Sequence, residues 1–190
     1  MTAAVATRPL AVTLHIGGVY AADHDVVVRT VLGSCIAACL YDPVARVGGM
    51  NHFMLPTADG STGHADQTRY GSHAMEVLIG AVQRLGGRRD RLQAKVFGGG
   101  HVLQTAPAAN SVPARNIAFI ERFIRDEKLQ LVSQDLGGFL ARRVHFYPYT
   151  GRALVKRLGQ GALRELRMEE LQAQQLPPAE PDNDITLFDD

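Results

Sequence analysis

The sequence has 190 residues, of which 46% are hydrophobic, and a formal net charge of +1. These values suit one globular domain with a tail, and they argue against a dedicated nucleic-acid-binding protein, which normally carries a marked basic excess. No apolar run approaches the ~18–20 residues of a membrane helix, no secretory signal opens the chain, and the two cysteines are too few for a disulfide framework, so we expect a cytoplasmic protein without membrane insertion.

The first part of the chain predicts a β-hairpin. An apolar run over 36–41 ends at Asp42-Pro43, which is a turn signal. A second apolar run follows over 50–55. Two runs of strand length around a short turn are typical of a hairpin. A short β-branched run over 26–28 indicates a further strand before it.

The rest of the chain mixes helices with strands. Residues 57–67 are polar and are expected to form a loop, after which apolar residues at helical spacing predict a helix over 74–85. A second helix is predicted over 115–127. Strands are predicted over 92–97, 129–132, 144–149 and 152–158, the last two as a second hairpin. Because there is no regular βαβ alternation, we expect an α+β fold, with a mainly antiparallel or mixed sheet covered by two helices.

The C-terminal part differs from the rest in composition. We divide the chain into a globular domain, residues 1–160, and a C-terminal part, residues 161–190, that begins with a short charged helix over 163–176. Residues 177–190 contain five acidic residues and no Lys or Arg, and this composition predicts disorder. The apolar group 185–188 within this acidic stretch also fits a docking peptide. The net charge is therefore +6 for residues 1–176 and −5 for 177–190.

Gly33-Ser34-Cys35 and His52 form the first candidate site. If the hairpin turn lies between Val44 and Ala45, Cys35 and His52 become diagonal neighbours on one face of the sheet. A neighbouring imidazole can activate a thiol as a nucleophile and then act as a general acid. A one-residue slip of the register would separate the two side chains, leaving a buried cysteine and a structural histidine as the alternative.

Two other sites are weaker. The cysteines and histidines form no C-x-x-C or H-E-x-x-H pattern, so the sequence signal for a metal site is weak. Residues 98–101, Gly-Gly-Gly-His, lack the spacing of a phosphate-binding loop. The glycines either allow two backbones to approach closely or supply backbone N–H groups to a substrate, and the sequence leaves both interpretations open.

Two longer blocks resemble a known family. The stretch TVLGSCIAACLYDP over 30–43 and the stretch GGMNHFMLP over 48–56 resemble the hallmark segments of CheD, the chemoreceptor glutamine deamidase. The resemblance continues in the same order to about residue 158. Further matching positions are Tyr70, 95–99, 114–116, 135–138, 142–144 and 150–151.

The resemblance implies a fold and a reaction. CheD-like proteins form a compact α/β sandwich and hydrolyse glutamine side chains of chemoreceptors to glutamate and ammonia, without a metal or organic cofactor. Their catalytic cysteine and histidine correspond to Cys35 and His52. Their threonine corresponds less directly to Thr30, because in some relatives it stands one position earlier, where this chain has Arg29. Backbone groups near the cysteine are expected to bind the substrate and its oxyanion, from Ser34, Gly33 and Gly99.

The resemblance also implies partners. The expected partner is the cytoplasmic helices of a chemoreceptor, a methyl-accepting chemotaxis protein, and the mildly basic body suits an acidic helical surface. The alternative is a non-catalytic chemotaxis adaptor that docks onto receptors or onto a chemotaxis phosphatase. Neither interpretation includes a nucleic acid.

Overall fold

The computed structural model describes residues 10–55, 64–102 and 110–159. Within these ranges the chain forms nine strands, two α-helices and a short 3-10 helix, Arg89–Arg91. The first five strands are β1 Leu10–Thr13, β2 Val19–Ala22, β3 Val26–Leu32, β4 Ile36–Asp42 and β5 Val47–Asn51. The remaining elements are α1 His64–Arg84, β6 Gln93–Gly98, α2 Val112–Asp126, β7 Gln130–Leu136, β8 Ala141–Tyr147 and β9 Arg152–Leu158.

The strands form two stacked sheets with both helices on one side. One sheet has the order β1-β3-β8-β9 and the other has the order β2-β5-β4-β6-β7. Each sheet contains one parallel pair, β1 with β3 and β6 with β7, and is otherwise antiparallel. Both helices pack on the five-stranded sheet. The α+β class and the mixed pairing are confirmed, with the strands divided between two sheets.

The apolar residues of β4 explain why this strand lies at the centre. Ile36, Ala38 and Leu40 belong to the core between the five-stranded sheet and the helices. Ala37 and Cys39 belong to a second core between the two sheets. A strand buried on both faces needs an unbroken apolar run, and the run over 36–41 predicted this strand.

Both predicted hairpins are present. In the first, Cys39 pairs with Met50 and Leu40 with Gly49, which is the register of a turn centred between Val44 and Ala45. In the second, β8 and β9 are antiparallel neighbours joined by a short turn. The register of the first hairpin is confirmed, so the residues that were predicted to lie opposite one another on its two strands do so.

The helix starts differ from the prediction. Helix α1 begins at His64, inside the predicted loop 57–67. The prediction missed this start because the first turns of the helix are polar and carry no apolar periodicity. Helix α2 begins at Val112, where Ser111 caps it by accepting a hydrogen bond from the Ala114 amide. None of the helices within the described residues is long and apolar enough to span a membrane. The predictions for residues 161–190 lie outside the described residues.

Candidate active site

The hairpin brings Cys35 and His52 to one face of the five-stranded sheet. Ile36 and Phe53 exchange two backbone hydrogen bonds of 2.9 Å, so they form a directly opposed pair at the end of the hairpin. Both of these side chains pack toward the helices. Cys35 and His52 precede them and therefore point to the opposite face, between the sheets, as diagonal neighbours. Both are buried, with 1% and 2% exposure.

Thr30 reaches His52 from the other sheet. It lies on β3 between Val28 and Leu32, which face the core between the sheets. Its Oγ1 lies 2.8 Å from His52 Nδ1 and 2.9 Å from the carbonyl oxygen of Leu14. Arg29, at the position where some relatives carry the threonine, lies on the opposite face of β3 by strand alternation.

These two contacts define the tautomer of His52. A carbonyl oxygen only accepts, so the single hydroxyl proton of Thr30 is donated to Leu14. The contact to His52 then requires Nδ1–H to donate to Thr30 Oγ1. His52 Nε2 is left as the basic nitrogen, and it is buried without a hydrogen-bond partner among the described residues. An unprotonated ring nitrogen on the face that also carries Cys35 is suited to accept a proton.

Burial keeps His52 neutral. It lowers the pKa of the imidazole from 6.5 to about 4, while the Leu14 carbonyl acts in the opposite direction and nearby His15 adds a smaller lowering effect. At neutral pH the imidazole is therefore uncharged and can accept a proton as a base.

This shift predicts a pH-dependent stability. The unfolded chain protonates His52 near pH 6.5 and the folded chain near pH 4, so the stabilising contribution is complete above pH 6.5 and is lost as the pH falls toward 4. Between pH 7 and pH 5 we expect the wild-type protein to lose about 2 kcal/mol more unfolding free energy than His52→Gln. Urea unfolding of both proteins at the two pH values measures this difference. Equal losses in the two proteins would contradict the buried neutral state.

The turn before β4 is held through its carbonyl groups. The Gly33 carbonyl accepts from the Gly100 amide at 2.7 Å, and the Cys35 carbonyl accepts from the Gly99 amide at 2.8 Å. The Ser34 carbonyl between them accepts from Asn116 Nδ2 on helix α2, at 2.8 Å. Because a peptide group is planar and trans, each fixed carbonyl also fixes the direction of the next N–H. The orientation of the Ser34 and Cys35 amides is therefore set by groups outside the turn.

The glycines at the end of β6 allow this close approach. Gly98 has a φ of +118°, and a Cβ there would overlap the carbonyl oxygen of Cys35. The Gly98 carbonyl accepts from Gly137 N and from Nη1 of the buried Arg142. Gly99 differs from expectation: its amide is already donated to Cys35, so it supports the turn and does not offer the donor expected for a substrate.

Sequence reasoning assigned no role to Asn116 or Arg142. Asn116 is fully buried, and Arg142 is 3% exposed. Arg142 also contacts Asp135 at 3.2 Å and donates to the Gly137 carbonyl. Both lie in segments that resemble the CheD pattern, which was the available signal. Their partners are far away in the chain, so spacing alone could not identify them.

A tyrosine, Tyr70, and the second cysteine, Cys39, lie near the candidate site. Tyr70 on α1 is half-buried, and its phenol pKa is raised first by burial and second by nearby Cys35. Cys39 lies further along β4 in the core between the sheets, where burial raises its thiol pKa strongly. Cys39 is therefore a core residue. Within 10–55, 64–102 and 110–159, no three His, Cys, Asp or Glu side chains are grouped as metal ligands.

A family model and individual relatives point to the same family. Residues 54–157 match the family model described as CheD chemotactic sensory transduction. The chain is 43% identical over 176 residues to the probable chemoreceptor glutamine deamidase CheD of Methylobacillus flagellatus, covering 90% of this chain and 86% of the relative. Because the alignment covers so much of the chain, it includes the segment from Cys35 to His52.

Two further relatives carry the same description. The probable chemoreceptor glutamine deamidase CheD of a Caulobacter species is 53% identical over 131 residues, covering 69% of this chain and 68% of the relative. The probable chemoreceptor glutamine deamidase CheD 1 of Burkholderia thailandensis is 50% identical over 141 residues. That alignment covers 73% of this chain and 60% of the relative.

Proposed function

Because this chain belongs to the CheD family, we propose that it hydrolyses glutamine side chains of chemoreceptors to glutamate, with Cys35 as the nucleophile. The observation that supports this best is the 2.8 Å contact between Thr30 Oγ1 and His52 Nδ1. That contact leaves the basic Nε2 of a neutral histidine on the face of the sheet that carries Cys35. A thiol beside an oriented imidazole is the arrangement that nucleophilic acyl transfer requires.

The first half of the reaction forms a thioester. His52 Nε2 accepts the Cys35 thiol proton as Sγ attacks the carboxamide carbon, and the carbonyl oxygen becomes an oxyanion. His52 then donates this proton to the amide nitrogen. The C–N bond breaks, ammonia leaves and the Cys35 thioester remains.

The second half repeats the proton transfer with water. His52 accepts a proton from a water molecule as its oxygen attacks the thioester carbon. The C–S bond breaks, glutamate is released, and His52 returns its proton to Cys35 Sγ. Thr30 acts throughout by holding the ring and the tautomer of His52.

Ser34 and Cys35 are the proposed oxyanion donors. Their preceding carbonyls bond to Gly100 and Asn116, so their N–H groups point away from those partners. Donors that are fixed before the reaction stabilise the developing charge without reorganisation.

The charge on the outer surface supports an acidic partner. On the face of the four-stranded sheet directed away from the five-stranded sheet, strand alternation places Arg29, Arg143, Arg152 and Lys156. No carboxylate of the described residues forms an ion pair with any of these four side chains. This face would favour an anionic surface such as acidic receptor helices.

The activity test uses the cytoplasmic fragment of a chemoreceptor from the same host. Incubation with the full chain should convert specific glutamines to glutamates, detected by the masses of proteolytic peptides. A mock incubation without the protein gives the background rate. Conversion no faster than this background, together with stable receptor binding, would contradict the deamidase and favour the adaptor.

Thr30 gives a prediction about the chemical step. Thr30→Val preserves the shape of the side chain but removes the hydroxyl between Leu14 and His52. We expect kcat to fall about 10–100-fold with little change in KM, because oriented supporting groups act mainly on the reacting residue. Thr30→Ser, which keeps the hydroxyl, should retain most of the activity. Full activity of Thr30→Val would show that another group orients His52.

A further inference from the structure

Asn116 connects two segments of the candidate site from helix α2. The residue is fully buried. Its Oδ1 accepts a hydrogen bond from the Leu55 amide at 2.9 Å, and its Nδ2 donates to the Ser34 carbonyl at 2.8 Å. Ser34 precedes Cys35, and Leu55 follows shortly after His52. One carboxamide thus holds both the cysteine segment and the histidine segment.

These bonds lie beyond the end of the regular hairpin. Ile36 and Phe53 form the last directly paired residues of the two segments. Beyond this pair, Ser34 and Leu55 are connected through the side chain of Asn116 instead of through backbone hydrogen bonds between the two strands. The bridge needs one donor and one acceptor a fixed short distance apart, and an asparagine amide supplies both. Alanine supplies neither, and an ionised aspartate supplies only acceptors.

The bond to Ser34 has a consequence for the neighbouring peptide group. The Ser34 carbonyl and the Cys35 N–H belong to one planar trans peptide and point in opposite directions. Holding the carbonyl toward Asn116 therefore turns the Cys35 N–H away from helix α2. That N–H is one of the two oxyanion donors proposed above.

We propose that Asn116 is a positioning residue that fixes the Cys35 amide for oxyanion stabilisation. This inference rests on the proposed function for its kinetic effect, but its structural effect can be measured without any activity. A buried asparagine with a purely structural role would give a different result, because its loss would affect folding and all reactions of Cys35 together.

The kinetic test compares two reactions of the same thiol in the full chain. Deamidation passes through an oxyanion, whereas alkylation of Cys35 by iodoacetamide is a displacement at carbon that forms none. In Asn116→Ala we expect kcat to fall about 10²-fold, as for the loss of an oxyanion donor. KM and the alkylation rate should stay within about twofold of wild type. Ile120→Val, a buried packing change one turn further along α2, is the control and should change none of these values.

A second variant covers the case in which Asn116→Ala does not fold. Asn116→Asp keeps the acceptor for Leu55 and loses the donor to Ser34 while it is ionised. When protonated, its carboxyl group can donate again. The ratio of its kcat to that of wild type should therefore rise as the pH falls from 8 toward 5. Asn116→Gln should not restore activity, because its longer side chain places the amide differently.

A measurement on the resting protein separates this inference from the function. The amide resonance of Cys35 in a ¹H–¹⁵N spectrum should move or broaden in Asn116→Ala and remain in place in Ile120→Val. If the wild-type protein shows no deamidation, the proposed function fails, and this resonance still tests the positioning. An unchanged Cys35 resonance, or equal losses in kcat and in the alkylation rate, would overturn the inference.

Discussion

Replacing Cys35 with alanine is expected to reduce deamidation to the background rate, a loss of at least about 10³-fold. In the proposed mechanism the thiol is the attacking group, and the remaining His52 and Thr30 cannot form the thioester. Among the described residues, Cys39 is the only other thiol, and it cannot substitute for Cys35. It lies four residues beyond Cys35 within β4, away from the turn that carries the proposed oxyanion donors, and burial raises its thiol pKa strongly.

The measurement is the rate of glutamine-to-glutamate conversion on a receptor fragment, with Cys39→Ala as the matched control. Both cysteines are 1% exposed, so both substitutions remove a buried thiol of the same size from β4 or its entry. Cys39→Ala should keep kcat near that of wild type once the protein is shown to be folded. Conversion that persists unchanged in Cys35→Ala would exclude the proposed nucleophile. Receptor capture by Cys35→Ala would separate binding from turnover.

Gly98→Ala is the second change for which we expect a large effect. The backbone of Gly98 has a positive φ, and a Cβ would overlap the Cys35 carbonyl oxygen, which is backbone and cannot move aside alone. The overlap should separate β6 from the turn and break the bond from the Gly99 amide to Cys35. We expect a loss of roughly 3 kcal/mol or more in unfolding free energy, from backbone strain and steric overlap. In the protein that remains folded, kcat should fall about 10²-fold because the thiol is displaced.

Gly86→Ala is the control for the conformational part of this effect. Gly86 also has a positive φ, of +94°, but no atom lies within 4 Å of the position that its Cβ would occupy. Its substitution should cost about 1 kcal/mol, the price of a left-handed conformation, and should leave kcat unchanged. Thermal and urea unfolding give the stabilities, and the conversion assay gives kcat. Similar effects of the two substitutions would mean that the contact with Cys35 is unimportant.

The hairpin register could be proposed from the sequence, with a one-residue slip as the alternative, because the turn chemistry that determines it is local. Asp42 accepts hydrogen bonds from the amides of Val44 and Ala45 at 2.9 and 3.1 Å, which closes the turn where Asp42-Pro43 indicated it. Because β4 is apolar on both faces, its hydrophobic pattern does not exclude a one-residue slip, and the hydrogen bonds of Asp42 in the turn decide the alignment. The shared face of Cys35 and His52 followed from this register.

The hydrogen bonds that hold the candidate site residues in place were not predictable from local sequence patterns. The bond between Thr30 and His52 crosses from one sheet to the other, and the sequence contains no signal for how two sheets stack. Asn116 bonds to residues 82 and 61 positions away. Such contacts depend on the packing of whole elements, whereas spacing rules describe neighbours within a helix or a hairpin. Only the family resemblance indicated that these segments belong together.

The division of the proposed catalytic residues between two sheets has a consequence for how the protein tolerates change. Cys35 and His52 belong to one sheet and Thr30 to the other, and the layer between them is filled by residues such as Phe146 and Met50. Substitutions that shift this layer by a few tenths of an ångström would stretch the bond from Thr30 to His52 well before the fold is lost. Turnover is therefore a more sensitive gauge of sheet spacing than melting temperature. A small molecule bound between the sheets would inhibit the proposed deamidation without contacting Cys35.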